Sequence, residues 1–193
     1  MAKQETRRAA TRAAILNAAM SLFGKAGFEA TTTDQIAAKA GVAKGSVYHH
    51  FKSKQEIFEA VFEAVSSKIV TAMIDDALPG DDTIGTLVKS MRQFFNLCAE
   101  PVTSQILLQD GPAVLGFEGW RRLDALHFGG LVTAALSSAM DAGAIRQQPL
   151  GTLSQILLAG IQAAAIDCAA QADFELAASE YLVTFEVILR GLR

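Results

Sequence analysis

Between Lys44 and Phe51 the chain reads KGSVYHHF, which puts a lysine, a serine, a tyrosine and two adjacent histidines within one short stretch. Such side chains can hold a metal, move a proton, attack as a nucleophile, or donate hydrogen bonds to a large anion. Wound as a helix at about 100° per residue, Val47 and Phe51 fall on one side. Gly45, Ser46 and His49 fall on the other, Tyr48 and His50 flank that arc, and Lys44 sits in the first turn. Neighbouring histidines then diverge, whereas chelation from a single helix needs a spacing such as i, i+4. Ser46 beside His49 has no third group to orient a base, so nucleophilic catalysis is disfavoured too. No metal, cofactor or catalytic set is expected, and no enzyme activity. The arc fits a nucleic-acid duplex better. Glycine and serine let the helix backbone come close to base edges, while Lys44, Tyr48 and His50 donate to phosphates on either side.

Helices must hold that arc in place. Strand-like alternation is scarce, and apolar residues recur at three and four positions almost throughout, which predicts an all-α protein of about nine helices. A first helix is expected from Arg8 to Lys25, with Ile15, Ala18, Ala19, Leu22, Phe23 and Ala26 as its apolar stripe and Gly27 as its stop. Thr32 with Gln35, and Ser53 with Glu56, read as capping boxes that start helices just after Thr32 and Ser53. Gly41 interrupts the pattern between them. The result is a short helix at 33–40, a turn at 41–43, a second short helix at 44–50 and a long helix from Lys54. Two short helices joined by a three-residue turn containing glycine form a helix-turn-helix. Ile36, Ala37, Ala40, Val42, Val47 and Phe51 are its apolar wedge. Thr33, on the first turn of its helix, can present a hydroxyl and a backbone N–H to a phosphate, and Lys54 is a further donor. Breaks at Pro79–Asp82, Pro101, Gly111–Pro112 and Gln148–Pro149 set further helices at 83–99, 102–110, 118–142, 150–170 and 173–192, with a short helical turn at 112–116.

Charge divides along the same line. Residues 1–54 carry nine Lys/Arg against three Asp/Glu, and residues 55–193 carry eight against seventeen. A basic module meeting a polyanion, carried on an acidic body, explains that split. Hydrophobic residues make up 51% of the 193, enough for a sizeable core. No apolar run reaches about 18 residues without a polar interruption, and the charged N-terminus lacks a signal-peptide pattern. A cytoplasmic protein with no membrane partner is the expectation. Cys98 and Cys168, 70 positions apart with no CxxC, read as small buried apolar residues.

The segment TTTDQIAAKAGVAKGSVYHHFKSKQEIF closely resembles the DNA-binding motif of the TetR (tetracycline repressor) family of bacterial transcriptional regulators. The likeness runs from about residue 12 to 62 and rests on TT-x-x-I-A-x-x-A-G-V, K-G-S-x-Y-x-H-F and K-x-K. It implies nine helices. Residues 1–53 would form the DNA-binding domain, and residues 54–193 a ligand-binding and dimerising domain. By motif position Thr33, Tyr48 and Lys54 would contact phosphates. Lys44, Gly45, Ser46 and His49 would face bases, and His50 either. Ala43 departs from the serine the family often places there as a cap, which costs about 1 kcal/mol of local helix stability.

The body has no comparable motif. In 150–170, Leu153, Ile156, Leu157, Gly160, Ile161, Ala164 and Cys168 form one stripe, and in 173–192 Phe174, Ala178, Tyr181, Leu182, Phe185, Ile188 and Leu189 form a broad face. Helices apolar on several sides need several neighbours. Twofold pairing of these two helices is the favoured answer, with Leu153, Leu157, Ile161, Ala164, Tyr181, Phe185 and Ile188 as interface candidates, and extra packing within the chain is the alternative. A homodimer would match a palindromic operator. For a small-molecule effector, Trp120 and His127 stand on a stripe with Leu123, Leu131 and Ala134, Asp167 falls in an apolar stripe, and Met73, Phe94, Phe95 and Gln109 complete a candidate lining. A repressor released by a mostly apolar ligand is the leading reading. An activator, a ligand-insensitive regulator, or a helical carrier or enzyme are the alternatives.

Overall fold

The structure, a computed structural model, describes residues 2–75 and 82–193. The expected break at 79–81 therefore lies outside the described residues. The elements are α1 (Ala2–Ala30), α2 (Thr33–Ala40), α3 (Lys44–His50), α4 (Lys54–Asp75), α5 (Thr83–Ala99), α6 (Pro101–Thr103, continued by a π-helical segment Ser104–Asp110), α7 (Gly111–Asp141), α8 (Leu150–Ala170) and α9 (Phe174–Gly191). No strand occurs among the described residues.

Local chemistry explains the first four helices. The Thr32 hydroxyl accepts from the Gln35 N–H at 3.2 Å, and the Gln35 side chain accepts from the Thr32 N–H at 2.8 Å, so both halves of the box are made. At α4 the box is altered: Ser53 caps the Glu56 N–H, but the Glu56 carboxylate reaches back to the Lys52 N–H. Gly41 closes α2 in the left-handed region (φ 67°), where its N–H returns to Ala38. Ala43 begins α3 with no side-chain cap. α1 starts earlier than its apolar stripe, at Ala2, and is interrupted at Gly27 (φ 79°) before a last turn to Ala30.

The three N-terminal helices close on Ile15, Ala19, Phe23, Ile36, Val47 and Phe51, all fully or nearly fully buried. Phe58 of α4 completes this core by edge-to-face packing with Phe23 and Phe28, at 5.4 and 5.3 Å between ring centres. α4 continues into the body, burying Phe62, Val65 and Ile69. There α5 packs on α9 and α7 on α8. α8 is long and apolar enough to cross a bilayer, and here it packs against α7 and α9 with 44% of its apolar window buried.

Two sequence expectations shift in the body. The segment at 102–110 is a short α-helix passing into a π-helix, a widened winding that is uncommon and concentrated at functional sites. α7 runs from Gly111 across an interruption at Gly116 (φ 71°), so the short turn at 112–116 is its opening. Gly111 is needed there: a Cβ would stand 2.9 Å from Trp120 and 3.1 Å from Phe62.

Candidate nucleic-acid interface and ligand cavity

α3 stands at the surface with Val47 buried beneath it. Gly45, Tyr48 and His49 are exposed, and Ser46 and His50 half-buried. The Tyr48 hydroxyl lies 3.2 Å from that of Thr33, so one pair of hydroxyls bridges the outer ends of α2 and α3. Lys44 pairs with Asp34 at 2.9 Å in the free protein, and this bond raises its pKa. A phosphate would have to compete with Asp34 for that ammonium. His50 is depressed below the ordinary histidine range by burial first, then by His49, Arg8 and Arg12, so near neutral pH it offers a hydrogen bond rather than a charge. Arg8 and Arg12 thus border α3. Arg12 also lies 5.0 Å from the centre of the Phe51 ring. Sequence reasoning did not select these arginines, although their i, i+4 spacing on α1 was available.

Lys54 sits differently from its neighbours. Its Nζ donates to the carbonyls of Phe28 at 2.8 Å and Thr31 at 3.1 Å, and lies 4.0 Å from the centre of the Phe28 ring. It ties the end of α1 to the start of α4. From the other side, Asp110 at the end of the π-helical segment accepts from the Phe28 N–H at 2.7 Å. The Trp120 indole N–H donates to the Leu107 carbonyl within that segment, at 3.0 Å. Phe28 therefore meets the DNA-binding helices, α4 and the body at once.

Inside the body, α4, α5, α7 and α8 line a partly open cavity of about 260 Å³. Met73 and Phe94 line it, with Leu87, Met91, Phe128, Leu131, Leu157 and Ile161 among the other apolar walls. Its polar groups are Ser90, Asp124 and Gln162. Asp124 is 6% exposed and accepts from the Gln162 amide at 2.6 Å. Burial pushes its carboxyl up to about 6, and the Gln162 bond opposes that shift without cancelling it.

The remaining ligand candidates lie elsewhere. Trp120, 2% exposed, is core. Phe95 is core as well, packed at 5.9 Å from Phe94. Gln109 points outward. Asp167 is exposed and accepts from the Tyr181 hydroxyl, correcting its placement within a buried stripe. His127 buries its Nε2 with no hydrogen-bond partner among the described residues, but it does not line this cavity. The buried face of α7 runs through Trp120, Leu123, Asp124, Phe128 and Leu136, while Ala134 is exposed. Trp120 and Leu123 of the expected stripe are thus buried, and beyond them the buried face passes through Asp124 and Phe128 in place of His127. Asp124, four residues after Trp120 and four before Phe128, carried a signal that was missed.

The dimer candidates divide as well. Leu157, Ile161, Ala164 and Phe185 are buried within the protomer, Leu153 and Tyr181 are half-buried, and Ile188 is exposed. The large apolar side chains left uncovered on α8 and α9 are Ile156, Leu176, Val183, Val187 and Ile188.

A helix-turn-helix on an all-α body defines a class of DNA-binding regulator, and comparison with known proteins gives the family. Residues 15–61 match the model of bacterial regulatory proteins of the tetR family, and residues 84–192 that of a tetracyclin repressor-like C-terminal domain. The chain belongs to the TetR family of transcriptional regulators. It is 40% identical over 67 residues to the HTH-type transcriptional regulator AcrR of Shigella flexneri, covering 35% of this chain and 30% of that one. Its fold is similar to that of a TetR-family regulator from Pectobacterium atrosepticum, with a TM-score of 0.84 at 24% identity over 97% of this chain and 96% of that one. It also resembles RolR solved with resorcinol, with a TM-score of 0.76 at 17% identity over 97% and 95%.

Proposed function

We propose that this TetR-family regulator is a homodimeric repressor that leaves its operator when a small, mostly apolar molecule fills the body cavity. Residues 1–53 serve as the DNA-binding domain and 54–193 as the ligand-binding and dimerising domain, with α4 as the shared beam. The cytoplasm, where the DNA is, is its place of action. On α3, Gly45, Ser46 and His49 face base edges. Thr33, Lys44, Tyr48 and His50 reach phosphates, and Arg8 and Arg12 add charge beside them. Lys54 has two donors engaged with carbonyls, so its main role is to fix the angle between α1 and α4. The second copy covers the α8 and α9 side chains that this protomer leaves in water, Ile156, Val183, Val187 and Ile188 first among them.

The observation that carries this reading is the pairing of an exposed, donor-rich α3 with a partly open, mostly apolar cavity, joined through α4 and the Asp110–Phe28 contact. A ligand shifts the balance of two body conformations only by binding one more tightly. Swinging α4 would then move the two α3 helices out of register with successive major grooves. Resorcinol in RolR is a precedent for a small ligand in this fold. Selection of fragments from random duplex DNA by the purified protein tests the reading. An inverted repeat with half-sites about one helical turn apart is expected, and derepression of the adjacent gene on deleting the regulator would establish the sign of control. Recovery of no motif would refute it.

A further inference from the structure

We propose that the cavity selects a small ligand whose polar head donates a hydrogen bond to Asp124, an alcohol, phenol or protonated amine, and that it rejects the same skeleton bearing an anionic head. This deepens the ligand-released reading and rests on it.

Asp124 is the one ionisable side chain lining this cavity among the described residues, and no lysine or arginine joins it there. Apart from Ser90 and Gln162 the walls are aliphatic, aromatic or thioether. A carboxylate held in such surroundings is costly unless a donor meets it. The Gln162 amide engages Oδ2 at 2.6 Å, but an amide is neutral and does not balance the charge. Burial outweighs that bond in setting the carboxyl's proton affinity, which marks the site as short of donors. A ligand donor relieves the shortage. A ligand anion would set two like charges together in an apolar cavity.

Size adds a second restriction. A volume of 260 Å³ equals about nine waters at ~30 Å³ each, just below the range of ligand pockets, which run from about 300 Å³ upward. A single ring with a short chain fits. Arg121 and Arg122 line a separate open basin beyond Leu158 and Gln162, and those two residues alone are shared with the cavity.

The test is isothermal titration calorimetry of the full chain at pH 7.5 with 3-phenylpropan-1-ol, 3-phenylpropylamine and 3-phenylpropanoate, which share one skeleton. The alcohol and the amine should bind wild type at least tenfold more tightly than the carboxylate. In Asp124→Asn the amine-over-carboxylate preference should shrink to less than threefold. Equal or tighter binding of the carboxylate to wild type overturns the proposal, as does an unchanged preference in folded Asp124→Asn. Failure of both donors to bind also overturns it. The wild-type comparison stands whatever the variant's stability. Operator release by all three heads alike would keep the ligand-released reading and remove the donor rule. Donor-selective binding with unaltered operator affinity would do the reverse.

Discussion

Gly45, Tyr48 and His49 on α3 are exposed, whereas Asp124 and Gln162 are buried between α7 and α8. On α3 each donor is cheap to hold, because solvent or a surface neighbour, Asp34 for Lys44 and Thr33 for Tyr48, satisfies it. In the cavity the buried polar atoms lean on the fold, and Asp124 is met by a neutral amide that does not offset its burial. The first region can therefore change its outward residues at little cost to folding. In the second, a change of one polar atom alters folding and binding together. On the proposed function, DNA is recognised at the surface and a small molecule in the core.

The largest expected effect falls where the buried region is tightest. Trp120→Ala should lose about 3–5 kcal/mol of stability, measured by urea unfolding, since the ring is core and its N–H is bonded to Leu107. A loss below about 1 kcal/mol would remove Trp120 from the core framework. Next is the pH response of Asp124. Its folded pKa, up to about 6, lies above the ordinary carboxylate range, so the folded state holds the proton more tightly. The contribution of this carboxyl is then most favourable near pH 4 and is lost as pH rises through 6. Asp124→Asn has no such dependence, and its stability relative to wild type should improve by about 2–3 kcal/mol between pH 4 and pH 7. A constant difference would show that the carboxylate is well solvated.

Lys54→Ala should cost about 2 kcal/mol through the two lost carbonyl bonds and leave the salt dependence of DNA binding nearly unchanged. A salt slope flattened by about one unit would instead make Lys54 a phosphate contact. Tyr48→Phe should be the smallest change. It should weaken binding to every duplex alike by about 1 kcal/mol, read by fluorescence anisotropy, and a sequence-dependent loss would move Tyr48 among the base readers.

The same contrast governs what the amino-acid sequence reveals. The helix-turn-helix is specified by neighbours within four residues, Thr32 with Gln35 or Gly41 with Ala38, so its boundaries and its outward arc are legible. Asp124 and Gln162 are 38 positions apart on different helices, and nothing in the spacing of either announces the other. The π-helical winding at 104–110 and the back-folded Lys54 depend on tertiary partners, Trp120 in one case and Phe28 in the other. On α8 and α9 the apolar residues outnumber what one neighbour can cover, so periodicity alone does not separate Ile161, which is buried, from Val187, which is 67% exposed.

Gly45 offers the most direct test that the outer face of α3 reads DNA. A Cβ there meets nothing within 4 Å, and replacing a helical glycine should leave the fold as stable as before or more so. Gly45→Glu sets a carboxylate where base edges and phosphates must approach. We expect an unchanged or raised melting temperature together with at least a hundredfold loss of operator affinity. A well-folded Gly45→Glu protein that binds its operator as wild type does would contradict the assignment.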